Sequence, residues 1–100
     1  MTLRHIVSWK LNGETFAARN GQAARIADAL EALRERIPEI RDINVYRNEL
    51  HEGSNFDLTL IADFDDADGL ATYADHPEHL PVIEMIKGMV TDRVAVDFTV

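Results

Sequence analysis

Phe56, Leu58, Leu60, Ala62 and Phe64 alternate with Asp57, Thr59, Ile61 and Asp63. A period of two places successive side chains on opposite faces and is the mark of a strand. Leu3, His5, Val7, Trp9 and Leu11 repeat the pattern against Arg4, Ile6, Ser8 and Lys10. So do Val94, Val96, Phe98 and Val100 against Arg93, Ala95, Asp97 and Thr99. Ile43 to Leu50 reads as a weaker strand, interrupted by Asn44, Arg47, Asn48 and Glu49. His51-Glu52-Gly53-Ser54-Asn55 has hairpin-loop chemistry, and Asn12-Gly13 supplies a turn after the first strand.

Two helical patterns separate the strands. From about Thr15 to Arg36, Ile26, Leu30, Leu33 and Ile37 recur on one stripe. Pro38 stops that helix at Ile37. Gly21 costs about 1 kcal/mol relative to Ala, so the first turns are expected to fray or bend. Asp65 or Asp66 caps a second helix with Ala67, Leu70, Ala71 and Ala74 on its apolar stripe. His76-Pro77-Glu78-His79 interrupts it, and Val82, Ile83, Ile86, Met89 and Val90 continue for a further turn or two. The order is β-α-β-β-α-β, an α+β arrangement with a four-stranded antiparallel sheet and both helices on one face, read as one domain over residues 1–100. Ile6, Ile61 and the Val94/Val96/Phe98 set make the other sheet face partly apolar as well. Exposed contiguous apolar surface marks an association site, which predicts a homodimer closed through the open sheet face.

Charge and composition narrow the function classes. Ten basic residues against 18 acidic give a net charge of −8, which argues against nucleic acid and against anionic membrane surfaces. With no Cys, disulfides, Fe–S clusters and thiolate zinc sites are excluded. No HExxH, facial-triad or zinc spacing appears, so no metal is expected, and no cofactor. The acidic run Asp63, Asp65, Asp66, Asp68 lacks the EF-hand spacing and reads as charge at a helix start. The first residues carry no apolar targeting segment and no stretch is long enough to span a bilayer, so a cytoplasmic globular protein is expected.

His5 with Val7 and Trp9, the run Asp57-Leu58-x-Leu60 to Phe64, Tyr73-x-x-His76-Pro77-x-His79 and Val96-Asp97-Phe98 together resemble the stress-responsive dimeric α/β-barrel (Dabb) family. The resemblance covers nearly the whole chain. It implies a ferredoxin-like βαββαβ subunit that pairs into a dimeric β-barrel, with a pocket between helices and sheet. It also implies varied roles, from stress-induced proteins to a branch that cyclises polyketides by aldol condensation.

In that branch the residue matching His79 is a catalytic base and the residue matching Tyr73 is a catalytic tyrosine. Imidazole exchanges protons near neutral pH, and a phenol can stabilise an enolate oxygen. The structural alternative is that His79 helps cap a helix start and Tyr73 merely packs. His5 sits among core-facing residues, and Asp97 is its best partner, with His79 and Arg93 as the other candidates. Such a carboxylate would orient an imidazole as a base, or form only a structural ion pair. Val7, Trp9, Ile26, Ala27, Leu30, Leu60 and His76 are expected to line the pocket, with His76 also bracing the loop and His51 solvated. The cyclising branch lines its pocket from the first helix with bulky aromatics, whereas the stripe here offers Ile26, Ala27 and Leu30, so a shared long-chain substrate is not expected.

Three readings follow. The first is a cofactor-free proton-transfer enzyme, cyclase or isomerase acting on a small apolar oxo compound. The second is a non-enzymatic stress-responsive or ligand-binding protein. The last is a monooxygenase on the same fold, for which no Asn can be placed to complete an Asn–Trp–His set.

Overall fold

The computed structural model describes residues Met1–Val100 and contains β1 (Leu3–Leu11), α1 (Phe16–Glu31), β2 (Asp42–Arg47), β3 (Leu58–Phe64), α2 (Ala67–Ala74), α3 (Leu80–Lys87) and β4 (Val90–Thr99). The four strands form one antiparallel sheet in the order β2-β3-β1-β4. This is the ferredoxin-like βαββαβ fold, with its second helix divided in two. No helix is long and apolar enough to cross a membrane.

Register sorts the side chains. His5 lies opposite Ala62 and Asp97, Val7 opposite Leu60 and Ala95, and Trp9 opposite Leu58 and Arg93. These residues share the face that α1 covers, and Val7, Trp9, Leu58, Leu60, Ala62 and Phe64 are buried with Ile26, Leu30 and Leu33 in one core. Thr15 caps α1, its hydroxyl accepting from the Ala18 amide at 3.0 Å. Asp66, one of the two expected caps of α2, accepts from the Gly69 amide at 2.9 Å. A Cβ on Gly13 would meet the Arg19 amide nitrogen at 2.9 Å, so the turn after β1 packs against α1 only as glycine.

Several boundaries differ from expectation. The α-helix ends at Glu31, and Ala32–Glu35 continues as a 3₁₀ turn instead of α-helix to Arg36. Tightening there keeps Leu33 in the core while the chain turns to bury Ile37 and Ile40. The helix runs unbroken through Gly21, because burial of Ala23, Ile26, Ala27 and Leu30 outweighs the propensity cost. β2 ends at Arg47, not Leu50; beyond it the Asn48 amide group donates to the Leu50 carbonyl at 2.6 Å and the chain leaves the ladder. β3 begins at Leu58 instead of Phe56. β4 begins at Val90, although Val90 also fits the apolar stripe of the preceding helix. Val90 pairs with Leu11 across a register shift at Lys10/Leu11.

Candidate active site

Between the sheet and the helices lies a cavity of about 450 Å³. Its floor is the sheet, through His5, Val7, Trp9, Leu60, Val90 and Arg93; Leu30 comes from α1. Leu70, Tyr73 and Ala74 of α2, then His79, then Ile83, Ile86 and Lys87 of α3 complete the wall. The walls are largely apolar, so each polar group that enters meets little competing water.

His79 is turned inward by the break between α2 and α3. Residues 76–79 make a tight turn in which the His79 amide donates to the His76 carbonyl at 2.9 Å. Pro77 lies inside that turn, and Pro81 opens α3 at a position where no amide hydrogen is needed. His79 is the N-cap residue of α3, yet its side chain makes no capping bond there. The ring reaches back instead: Nδ1 lies 3.1 Å from the Tyr73 carbonyl oxygen and 3.3 Å from that of Ala74. Both are among the last carbonyls of α2, which have no partner inside their own helix. Carbonyls only accept, so Nδ1 carries the proton and the Nε2 lone pair is left free. Burial pushes the His79 pKa below the ordinary imidazole value; the two backbone bonds oppose this, while charge on His5 or His76 adds to it. At neutral pH the ring is therefore an uncharged base.

Tyr73 lies beside it. The two rings stack with centroids 4.1 Å apart and planes 26° from parallel. Phe64 also packs against the phenol, with ring centroids 5.1 Å apart and planes tilted by 51°. The Tyr73 hydroxyl has no protein hydrogen-bond partner. Burial drives its pKa well above the usual phenol value, and the positive charge of Arg93 pulls the other way. The hydroxyl thus remains a donor at any physiological pH.

His5 faces the same cavity, and its Nδ1 bonds the Asp97 carboxylate across the β1–β4 ladder. Of the three partners considered for Asp97, His5 is the one it takes. A carboxylate accepts only, so the His5 proton also sits on Nδ1 and its Nε2 is unencumbered.

Val7, Trp9, Leu30 and Leu60 lie on the wall where they were expected. Ile26, Ala27 and His76 do not. Ile26 and Ala27 are consumed by core packing one turn before Leu30. His76 spends its Nδ1 on the Glu78 amide at 3.1 Å, bracing the turn from outside. Sequence reasoning missed Leu70, Ala74, Ile83, Ile86, Lys87 and Val90 as wall residues, and considered Arg93 only as a partner for Asp97. The signal for Arg93 was available: it shares the parity of Asp97 on β4. No group of three or more His, Asp or Glu side chains is placed to hold a metal ion.

The stress-responsive A/B barrel domain profile matches residues 3–100. The chain belongs to the Dabb family. Among solved structures it resembles a dimeric ferredoxin-like protein of unknown function from Bacteroides fragilis, at 29% identity over 99% of this chain and 96% of that one, TM-score 0.89. A dimeric ferredoxin-like protein of unknown function from Thermobifida fusca is 32% identical over 100% of this chain and 92% of that one, TM-score 0.84. A hydroxynitrile lyase from Passiflora edulis shares the fold, with TM-score 0.76 over 99% of this chain and 93% of that one, at 13% identity. No curated protein matches the sequence.

Proposed function

We propose that this Dabb protein is a homodimeric, cofactor-free proton-transfer enzyme whose substrate is a small oxo compound held in the apolar cavity. One observation carries the reading. The His79 proton is tied to the end of α2 on Nδ1, so a free imidazole base and an unpartnered phenol stand side by side on one apolar wall.

With a ketone carbonyl against the Tyr73 hydroxyl, His79 Nε2 takes a proton from the adjacent carbon. The carbon–hydrogen electron pair moves into the enolate, and the phenol donates a hydrogen bond to the developing oxyanion. Imidazolium then returns the proton to carbon or oxygen, giving an isomer, or a cyclised product where the enolate attacks a second carbonyl. His5, steadied by Asp97, is the second base within the same cavity and relays the proton where donor and acceptor carbons differ.

The dimer follows from the uncovered sheet face, where Val94, Val96 and Phe98 are exposed on the edge strand β4. The two solved relatives nearest 30% identity are both described as dimeric.

Hydrogen–deuterium exchange beside the carbonyl of 2-octanone and of benzyl methyl ketone, followed by proton NMR, tests the chemistry. The wild type accelerates exchange over buffer, and His79→Gln reduces that acceleration by about 100-fold or more. No acceleration with either ketone overturns the enzyme and leaves a binding protein.

A further inference from the structure

The protein carries 18 acidic residues against ten basic ones, yet the wall of the cavity contains no carboxylate and two cations, Lys87 and Arg93. Chance placement on so acidic a chain would favour the opposite sign. Arg93 makes no ion pair or hydrogen bond with any side chain; Arg25, Arg36 and Arg47 are likewise unpaired, but of the four only Arg93 lines the cavity, whereas Arg4, Arg19, Arg34 and Arg41 are each paired. Lys87 has only Glu84, 3.6 Å away and well exposed. The one carboxylate that shares the parity of Arg93 on β4, Asp97, is taken by His5. We propose that the cavity binds amphipathic carboxylates, the anion held at the mouth by Arg93 and Lys87 and the apolar body lying inward toward Tyr73 and His79.

Position, chemistry and size all support this. Arg93 is opposite Trp9 on β1, so it stands on the cavity side of the sheet, the face opposite that of Val94, Val96 and Phe98. A guanidinium presents two parallel donors that match the two oxygens of one carboxylate, and Lys87, also on the cavity wall, adds a point charge. A volume of about 450 Å³ suits an apolar body of modest size with one small anionic head. The positive charge of Arg93 is also felt at the Tyr73 hydroxyl, so mouth and interior belong to one electrostatic unit. Combined with the proton-transfer reading, on which it rests only for the oxo group, this makes the substrate an oxo acid of medium length.

Binding of octanoate and its uncharged isostere octanamide to the full chain tests the claim. Calorimetry measures the affinities, and fluorescence of Trp9, the only tryptophan and a wall residue, reports occupancy of the cavity. Octanoate is expected to bind about tenfold more tightly than octanamide. Arg93→Gln brings the two within about threefold of each other, and Arg93→Lys retains most of the preference. Equal affinity in the wild type, failure of octanoate to bind, or a preference unchanged in Arg93→Gln overturns the proposal. Ketone exchange measured on the same preparation separates the two claims. Exchange absent with the preference intact removes only the enzyme; preference absent with exchange intact removes only the anion site.

Discussion

The two faces of the sheet are made by the same four strands, one residue out of step, and they have opposite fates. On one face Val7, Leu60, Ala62 and Phe64 disappear beneath the helices, and the remaining gap becomes the cavity. On the other, Ile61, Ile6 and Val96 form an apolar row across β3, β1 and β4, with no element of the chain above it. Each face also carries an ion pair. His5–Asp97 faces the cavity, where the carboxylate orients the imidazole ring. Arg4 meets Asp63 on the open face through two bonds of 2.9 and 3.0 Å, and holds that carboxyl below the usual Asp pKa. The lesson is that burial by a helix and burial by a second copy are interchangeable solutions for apolar strands, whereas a cavity needs walls from different elements.

Substitutions that treat the faces alike should therefore give unlike results. The largest effect is expected from Val96→Asp. Val96 is opposite Ile6, with no cation in register to neutralise a new carboxylate, and symmetry places two such charges in the interface. Sedimentation should show wild type at twice the 11.3 kDa chain mass and the variant at the single mass, with its circular dichroism retained. A wild type that sediments as one chain removes the dimer.

Next come the same truncations on opposite faces. Phe64→Ala should cost about 3–5 kcal/mol in denaturant unfolding, since Phe64 is fully buried within the chain. Phe98 is 39% exposed in the single chain, so Phe98→Ala should cost less, by an amount that grows with protein concentration. A concentration-independent cost at Phe98 would show that its burial does not come from a partner.

The smallest effect is a pH dependence. The folded-state pKa of His79 lies below its unfolded value of about 6.5, so folding favours the neutral ring. Stability should then fall as pH drops below about 6.5 and level off once the lowered folded pKa is passed. His79→Gln should flatten that part of the profile in thermal melts between pH 7 and 5; an unchanged profile would assign the dependence elsewhere.

Much of this comparison was legible in the order of residues. Alternation identified the strands and the parity of each side chain, which set His5 with Val7 and Trp9, and Asp97 away from Val96 and Phe98. The uncovered apolar face was visible for the same reason. What parity could not show was depth. Ile26, Ala27 and Leu30 share a helical stripe, but only Leu30 reaches the cavity, because distance along α1 decides which side chains fill the core and which border the gap. Val90 fits an apolar helix stripe and an apolar strand equally well, and only its pairing with Leu11 resolves it.

The chain alone determined the periodicities, the break at Pro77 and the excess of negative charge, since these follow from local stereochemistry and counting, whereas α1 ends at Glu31, well before Pro38. The tertiary structure decided which nitrogen of His79 carries the proton, which partner Asp97 takes and where the unpaired Arg93 stands. His5 and Asp97 are 92 residues apart, and even the His79 bonds, which span only five or six residues, form because the break between α2 and α3 turns the ring back onto α2. Such meetings are set by how the helices settle on the sheet, and no local pattern encodes them.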